Sequence, residues 1–571
     1  MKKFIKWFII IFVVFFALLG AAIVIVFSML DTEPSVRSNS YVEMTLGGFI
    51  HEYRAPEALE EFIERYPMDM NKIRQVLKMA SIDRRVKGVI LDIRSLQIGF
   101  AKLQELRKLI TDFHMSGKKI LALLDFAMTR EYLLATACDS VYLVPGGILL
   151  LPGISAEVTF YKGLLNKAGI EADFVSIGKY KNAPDVYMRQ TMSDAQKEVI
   201  DDILDSRFHE IISTIAINRG LTEEKVIQLV NNISGFSPED AQKNNLIDGI
   251  KYREELNNIM NGNEDDLHKI DASDYSRISP SSVGMEKGPK VAVIYCSGLI
   301  TDGEDGGDFL TGNLMGAQRV IRNIEDAVES NSIKAIILRV NSGGGSGIAS
   351  DKIWHSIIKA KEEKPVIASI SDVGASGGYY ISMAADTILA QRGSLIGSIG
   401  VFAGKFSLDN LYNKLDLNAV ILKRGENAGI FSIHSKFSQS ERKIIRAMVE
   451  DFYISFVQKV AESRNMTFDA IDQISRGRVW QGENGFTNGL IDYLGGLDDA
   501  IEIAKKMSGI DPDRDVRLVC YPKKRSFITK ILKYISVDEQ NLIYQFKKIE
   551  SNINMFQSKP LTLMPFILEI K

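Results

Sequence analysis

The sequence predicts an α/β fold with parallel strands and crossover helices, built twice in tandem. Short β-branched runs alternate with longer helical patterns, as in VAVIYCSGLI, AQRVIRNIEDAVES, AIILRV and PVIASIS, the signature of strands joined by crossovers. The alternation repeats. KGVILDIRS (Lys87–Ser95) returns as KAIILRVNS (Lys334–Ser342) at an offset of 247 residues, and YLLATACDSVYL around Asp139 returns as YYISMAADTILA around Asp386 at the same offset. Upstream, GGFI (Gly47–Ile50) matches SGLI (Ser297–Ile300) at 250, and downstream NNLID (Asn244–Asp248) matches NGLID (Asn488–Asp492) at 244, a drift that small loop changes explain. A chain of 571 residues exceeds what one core holds, which fits two large units.

Taken in order, residues 1–34 read as a membrane anchor with its flanks. The run from Phe8 to Leu30 carries no charge over 23 residues, enough to cross a hydrocarbon core of about 30 Å. Lys2, Lys3 and Lys6 precede it, and Asp31 and Glu33 follow, so the N-terminus is expected in the cytoplasm and the rest of the chain outside. The run is longer than the apolar core of a cleaved signal peptide and lacks a clean cleavage site. Residues 35–260 form the first repeat, 261–290 a polar linker containing NGNEDD and SPSS, 291–510 the second repeat, and 511–571 a basic tail. That tail (KKRSFITKILKYI) reads first as a helix packed on the body and second as a membrane-surface contact. A net charge of −3 gives no reason to expect nucleic acid. Three widely spaced cysteines, Cys138, Cys296 and Cys520, make neither a disulfide framework nor a close-set zinc site.

The chemistry concentrates in the second repeat. There AIILRV runs into NSGGGSG (Asn341–Gly347), and PVIASIS runs into DVGASGGYYISMAAD, two glycine-rich strand-to-helix turns. Ser376 is expected at the first turn of the second helix, where unpaired N–H groups favour developing negative charge. The N–H groups of Gly377 and Gly344 are candidate donors to an oxyanion. No Lys-Ser/Thr pair follows NSGGGSG, so a phosphate-binding loop is not supported. A serine needs a base, and none of the six histidines (His51, His114, His209, His268, His355, His434) follows the Ser376 helix closely. Projecting the offset pairs Ser376 with Thr129, which has no glycine turn or helix-start pattern and reads as structural. The counterpart of NSGGGSG in the first repeat is RSLQIGF. That repeat instead carries Lys179 and Lys181 in GKYKNA, where the second has Glu426 and Ala428. Each half thus holds one part of a possible Ser/Lys dyad, with two solvated lysines as the competing reading.

GKYKNA, RVNSGGGS, GASGGYYIS and GSLIGSIGVF together resemble the long, duplicated form of the signal peptide peptidase A (protease IV) family, over nearly the whole chain. The resemblance implies tandem Clp protease/crotonase-like domains, superhelices of repeated ββα units. It places the nucleophile on Ser376, the general-base lysine on Lys181, the lysine-orienting serine on Ser398, and the oxyanion donors on Gly344 and Gly377. The family's S-P-G-G turn has Gly343 here in place of proline. It further implies a membrane-anchored serine endopeptidase of the bacterial inner membrane, with its catalytic domains periplasmic or external. The expected substrates are signal peptide remnants and other hydrophobic peptides, the expected assembly a homotetramer, and neither metal nor cofactor is called for. A lysine amine ordinarily titrates near about 10.4, so acting as a base near neutral pH requires its charged form to be destabilised by roughly 4 kcal/mol. Lys181 should therefore be desolvated and far from any carboxylate. A crotonase-like acyl-CoA enzyme and a non-catalytic membrane scaffold are the competing functions.

Overall fold

The computed structural model describes residues 7, 14–15, 34–55, 68–261, 267–303, 313–523 and 561–564. The anchor expected over residues 8–30 lies outside them, apart from residues 14 and 15, and among the described residues no helix is long and apolar enough to cross a membrane.

In the first half, β1 (Ser40–Phe49), β2 (Val86–Gln97), β3 (Lys119–Ala127) and β4 (Ser140–Leu150) lie parallel in the order β4-β3-β2-β1. Helices α1 (Met70–Ile82), α2 (Phe100–His114) and α3 (Thr129–Ala135) make the crossovers. Val89 and Leu91 are buried beneath one face and Ile90 beneath the other, because helices cover both sides of a parallel sheet and its strands read as continuous apolar runs. The chain then leaves this sheet through β5 (Glu171–Ile177), runs along the 26-residue α4 (Asp194–Arg219), and returns through the short β6 (Gly235–Phe236) and β7 (Gly249–Ile250), which pair with β4. The stretch expected to be linker contributes β8 (His268–Asp271), parallel to β1, and buries Ala272, Tyr275 and Ile278 in the first core. Its polar text conceals these well-spaced apolar positions.

The second half repeats the plan. It comprises β9 (Lys290–Ser297), β10 (Leu299–Thr301), β11 (Leu314–Gly316), α5 (Ala317–Glu329), β12 (Ile333–Ser342), β13 (Gly344–Ser346), α6 (Gly347–Lys361), β14 (Val366–Ala375), α7 (Gly377–Ser382), β15 (Thr387–Ala390), β16 (Leu395–Gly397), β17 (Val401–Ser407), α8 (Gln439–Arg464), β18 (Val479–Gln481), β19 (Tyr493–Leu494), α9 (Leu497–Met507), β20 (Arg517–Tyr521) and β21 (Leu561–Leu563). Its main sheet has the order β18-β16-β14-β12-β9-β20. Part of the expected tail is therefore a strand: Leu518 and Cys520 pair with Val291 and Val293 of β9.

Two features lock the halves together. A third sheet, β11-β10-β13-β21-β17-β5, draws β5 from the first repeat and lays it antiparallel on β17 of the second. The second is Arg339 of β12, which is fully buried and donates to Glu52 at 2.8 Å, Glu105 of α2 at 2.5 Å and Ser369 at 2.9 Å. Burial alone would favour loss of the Arg339 proton, but the fields of Glu105 and Glu52 outweigh it and push its titration above the ordinary range. Lys102 of α2 adds a second bridge, to Asp372 at 3.2 Å.

Replacing Arg339 alone strands two buried carboxylates between the halves. Arg339→Met is expected to cost about 3–5 kcal/mol in urea unfolding, and adding Glu52→Gln and Glu105→Gln should recover part of that loss.

Candidate active site

Strand β14 ends at Ala375 and helix α7 begins at Gly377, so Ser376 occupies the turn between them. Its backbone is at φ 56°, ψ −114°, a conformation that L-residues adopt at a cost of about 1–3 kcal/mol. Two hydrogen bonds hold it there, from its own N–H to the Gly397 carbonyl at 2.7 Å and from the Tyr380 N–H to its carbonyl at 2.8 Å. The small residues that follow are required by packing. A Cβ on Gly378 would fall 2.2 Å from the Ser342 carbonyl oxygen.

Ser398 follows β16, the neighbour of β14 in register (Ala375 opposite Gly397), which carries its hydroxyl to the same end of the sheet. It too has a positive φ, 48°. From Val401 the chain enters β17, paired with β5 so that Val401 faces Ile177. Four residues past Ile177 stands Lys181. The antiparallel register of β5 on β17 thus delivers a lysine from the first repeat to the serines of the second.

The Lys181 amine donates to Ser376 Oγ at 2.8 Å and to the Ser398 carbonyl and hydroxyl oxygens, each at 3.1 Å, all within one chain. Lys181 is 1% exposed, and both serines are fully buried. Among the described residues no carboxylate is a partner of Lys181, and burial alone pushes its titration well below the ordinary lysine value.

A short strap, Arg476–Arg478, staples the lysine turn to the Ser398 turn. The Arg476 carbonyl accepts from the Tyr180 N–H at 2.8 Å, the Gly477 N–H donates to Ile399 at 2.8 Å, and the Arg478 carbonyl accepts from the Ser398 N–H at 2.7 Å. Gly477, at φ 83°, lies so close that a Cβ there would fall 2.5 Å from the Lys181 backbone nitrogen. Gly400 closes the other side, where a Cβ would meet Lys181 Cδ at 3.0 Å. The strap escapes sequence reading because it acts through backbone groups; the glycines at 400 and 477 are its only textual trace.

The remaining candidates separate. Lys179, two residues away, projects into solvent and pairs with Glu198 at 3.5 Å. Gly377 adjoins Ser376, and its nitrogen lies 2.7 Å from where a Cβ on Gly344 would stand, so the two glycines face each other. The Gly344 N–H donates to Ser342 Oγ at 3.2 Å. Thr129 does begin a helix, α3, contrary to expectation: Met128 caps it, and its N–H is satisfied by Glu131 at 2.9 Å rather than by a recognisable capping side chain. Among the described residues no histidine hydrogen-bonds Ser376 or Lys181. Among the described residues no cluster of three or more His, Cys, Asp or Glu side chains is arranged to hold a metal.

The model of peptidase family S49 matches residues 112–265 and again 358–511, once in each half. The chain belongs to this family, with two tandem family domains. It is 32% identical over 524 residues to the chloroplastic serine protease SPPA of Arabidopsis thaliana, a match covering 90% of this chain and 76% of the relative. Protease 4 of Salmonella typhi is 29% identical over 454 residues, covering 77% and 71% respectively. Among solved structures, a membrane-bound stomatin-specific protease is similar over 44% of this chain and 98% of its own, at 18% identity and a TM-score of 0.27.

The buried amine has a signature in stability. Its folded titration lies below the unfolded one, so between the two the unfolded chain holds the extra proton and stability rises with pH. Lys181→Met removes this slope. The variant should be more stable than the parent at neutral pH, its advantage shrinking by roughly 1.4 kcal/mol per pH unit toward about pH 10.4, as read by urea unfolding at several pH values.

Proposed function

We propose that this member of peptidase family S49 is a serine endopeptidase with a Ser376/Lys181 dyad. The observation that carries the reading is the 2.8 Å contact between a fully buried hydroxyl and a buried amine with no acidic partner. In this reading the neutral amine accepts the Ser376 proton as Oγ attacks a peptide carbonyl. The tetrahedral oxyanion forms between the Gly344 and Gly377 backbones, with the Gly377 N–H, which has no hydrogen-bond acceptor among the described residues, as first donor; the Gly344 N–H must shift from Ser342 to join. The amine then passes its proton to the leaving nitrogen, and a water activated by the same amine hydrolyses the ester. Ser398 supports the amine through a hydroxyl and a carbonyl, which aim it without favouring its charged form as strongly as a carboxylate would.

The substrate class we assign is hydrophobic peptide, including signal peptide remnants, met at the external face of a bacterial inner membrane by an enzyme tethered through residues 8–30 and assembled as a homotetramer. The apolar N-terminal run and the family resemblance support the tether and substrate; the resemblance alone supports the tetramer.

Peptidase activity on an internally quenched hydrophobic peptide is expected to fall about 10⁴-fold or more in Ser376→Ala and in Lys181→Ala. Mixing the two inactive chains should restore nothing, since the contact lies within one chain. Ser398→Ala should lose about 10- to 100-fold in kcat, the worth of one hydrogen bond to the working amine. In the parent, kcat/KM should rise with pH through the depressed Lys181 titration. Retained thioester turnover in Ser376→Ala would favour the crotonase-like alternative instead, and failure of a serine-directed fluorophosphonate to label Ser376 would favour a non-catalytic scaffold.

A further inference from the structure

The bond that ties the strap to the Ser398 turn is made in both repeats, but only the second repeat makes it with an arginine. In the first, the Ser234 carbonyl accepts from the Leu151 N–H at 2.6 Å; in the second, the Arg478 carbonyl accepts from the Ser398 N–H at 2.7 Å. The flanking strands pair in the same register, Leu149 opposite Phe236 in β4 and β6, and Ile396 opposite Trp480 in β16 and β18. The fold thus uses this main-chain bond twice. In the first repeat it asks nothing of the side chain, since the Ser234 hydroxyl only turns back onto the Val230 carbonyl at 2.5 Å.

The Arg478 side chain reaches further. It crosses to the first repeat, donating from one nitrogen to Glu198 and from another to Asp202, both on α4. Its guanidinium carbon lies 4.9 Å from the centre of the Tyr180 ring and 4.5 Å from that of Trp480, so the cation is flanked by two aromatic faces. Tyr180 immediately precedes Lys181. Its hydroxyl donates to Glu198 at 3.1 Å and its N–H to the Arg476 carbonyl at 2.8 Å, while the Trp480 indole N–H is fixed on the Ile474 carbonyl at 2.8 Å. One residue therefore holds the neighbour of the base through its side chain and the Ser398 N–H through its carbonyl. The Glu198 and Asp202 side chains are 42% and 54% exposed, and ion pairs on carboxylates so exposed add little stability. Nor does the arginine charge act on the base, whose low titration follows from burial alone. What remains is geometry, for which a planar fork is suited and a lysine is not.

We propose that Arg478 is a positioning residue for the dyad: its side chain, forked onto Glu198 and Asp202 and flanked by Tyr180 and Trp480, holds the lysine-bearing turn of the first repeat in register with the Ser398 turn of the second. The proposal rests on the dyad reading of the site. The first repeat has Thr129 where the second has Ser376, Leu151 where it has Ser398, and Ser234 where it has Arg478. The arginine accompanies the chemistry and not the fold. Small displacements of a reacting group are expensive in rate, so a clamp of this kind acts on turnover before it acts on stability.

The test separates placement from stability and from turnover. In the full-length chain, Arg478→Lys, Arg478→Ser and the pair Glu198→Gln with Asp202→Asn should each lower kcat on an internally quenched hydrophobic peptide about 10- to 100-fold with KM unchanged. Lys keeps the charge, Ser is the residue the first repeat carries, and the two carboxylates, being exposed, carry the test where an Arg478 variant does not fold. Unchanged kcat in these variants, or a loss confined to KM, overturns the proposal. Hydrogen exchange read amide by amide needs no activity. In the same variants the Ser398 and Tyr180 amides should exchange about tenfold faster or more, while the Leu151 amide, which makes the equivalent bond in the first repeat, keeps its rate. Acceleration at all three sites marks general loosening and overturns the proposal. Selective acceleration in a protein without peptidase activity leaves the clamp standing and sinks the dyad reading instead, whereas an active parent whose Ser398 and Tyr180 amides are indifferent to Arg478 sinks the clamp alone.

Discussion

A lysine amine kept out of water with only oxygens of serine for company is the constraint on which the architecture turns. Burying an ammonium without a carboxylate is costly, so the fold must surround Lys181 with backbone too tightly packed to relax. Gly400 and Gly477 approach where any side chain would collide, and the strap from Arg476 to Arg478 bonds both the turn that bears Lys181 and the turn that bears Ser398. Ser376 and Ser398 are held at positive φ within the same few ångströms. Strain and desolvation are concentrated here because the surrounding sheets are rigid enough to bear them.

That rigidity comes from a duplication whose copies have each kept different residues of the site. The second keeps the glycine turns and both serines; the first keeps the lysine and lends β5 to the other's sheet. Position 339 shows the same division in the core. Arg339 of the second copy reaches across to Glu52 and Glu105 of the first, whereas its counterpart one repeat earlier, Asp92, stays within its own half and pairs with Arg94. A buried charged cluster of this kind contributes little net stability, but it penalises any misalignment of the halves severely. The 2.8 Å contact of amine and hydroxyl needs that alignment.

Much of the site was legible in the residues. Glycine-rich turns after β-branched runs located Ser376, and the repeat offset drew attention to GKYKNA as text present in one copy only. Choosing Lys181 over Lys179 needed the family resemblance, because two lysines two residues apart differ only in which side of a turn they leave, and the turn's direction is set by the pairing of β5 with β17, over 200 residues distant. Other elements left no trace for a simple reason: they act through backbone. The strap's bonds to the two turns and the insertion of β21 both depend on where main-chain groups meet, not on which side chains they carry. The stretch between the repeats misled in another way, since a few apolar residues among many polar ones, such as Ile270 and Tyr275, were enough to fasten it to the first core.

The charge state of Lys181 is the most direct point at which the account can be checked. Nitrogen NMR of the full chain labelled with ¹⁵Nζ-lysine, with the Lys181 signal identified by its absence in Lys181→Met, reports the protonation of this one amine across pH. The account predicts a shift typical of a neutral amine at neutral pH, moving to the ammonium value only on acidification. An ammonium signal that persists at neutral pH and titrates with the exposed lysines would contradict it.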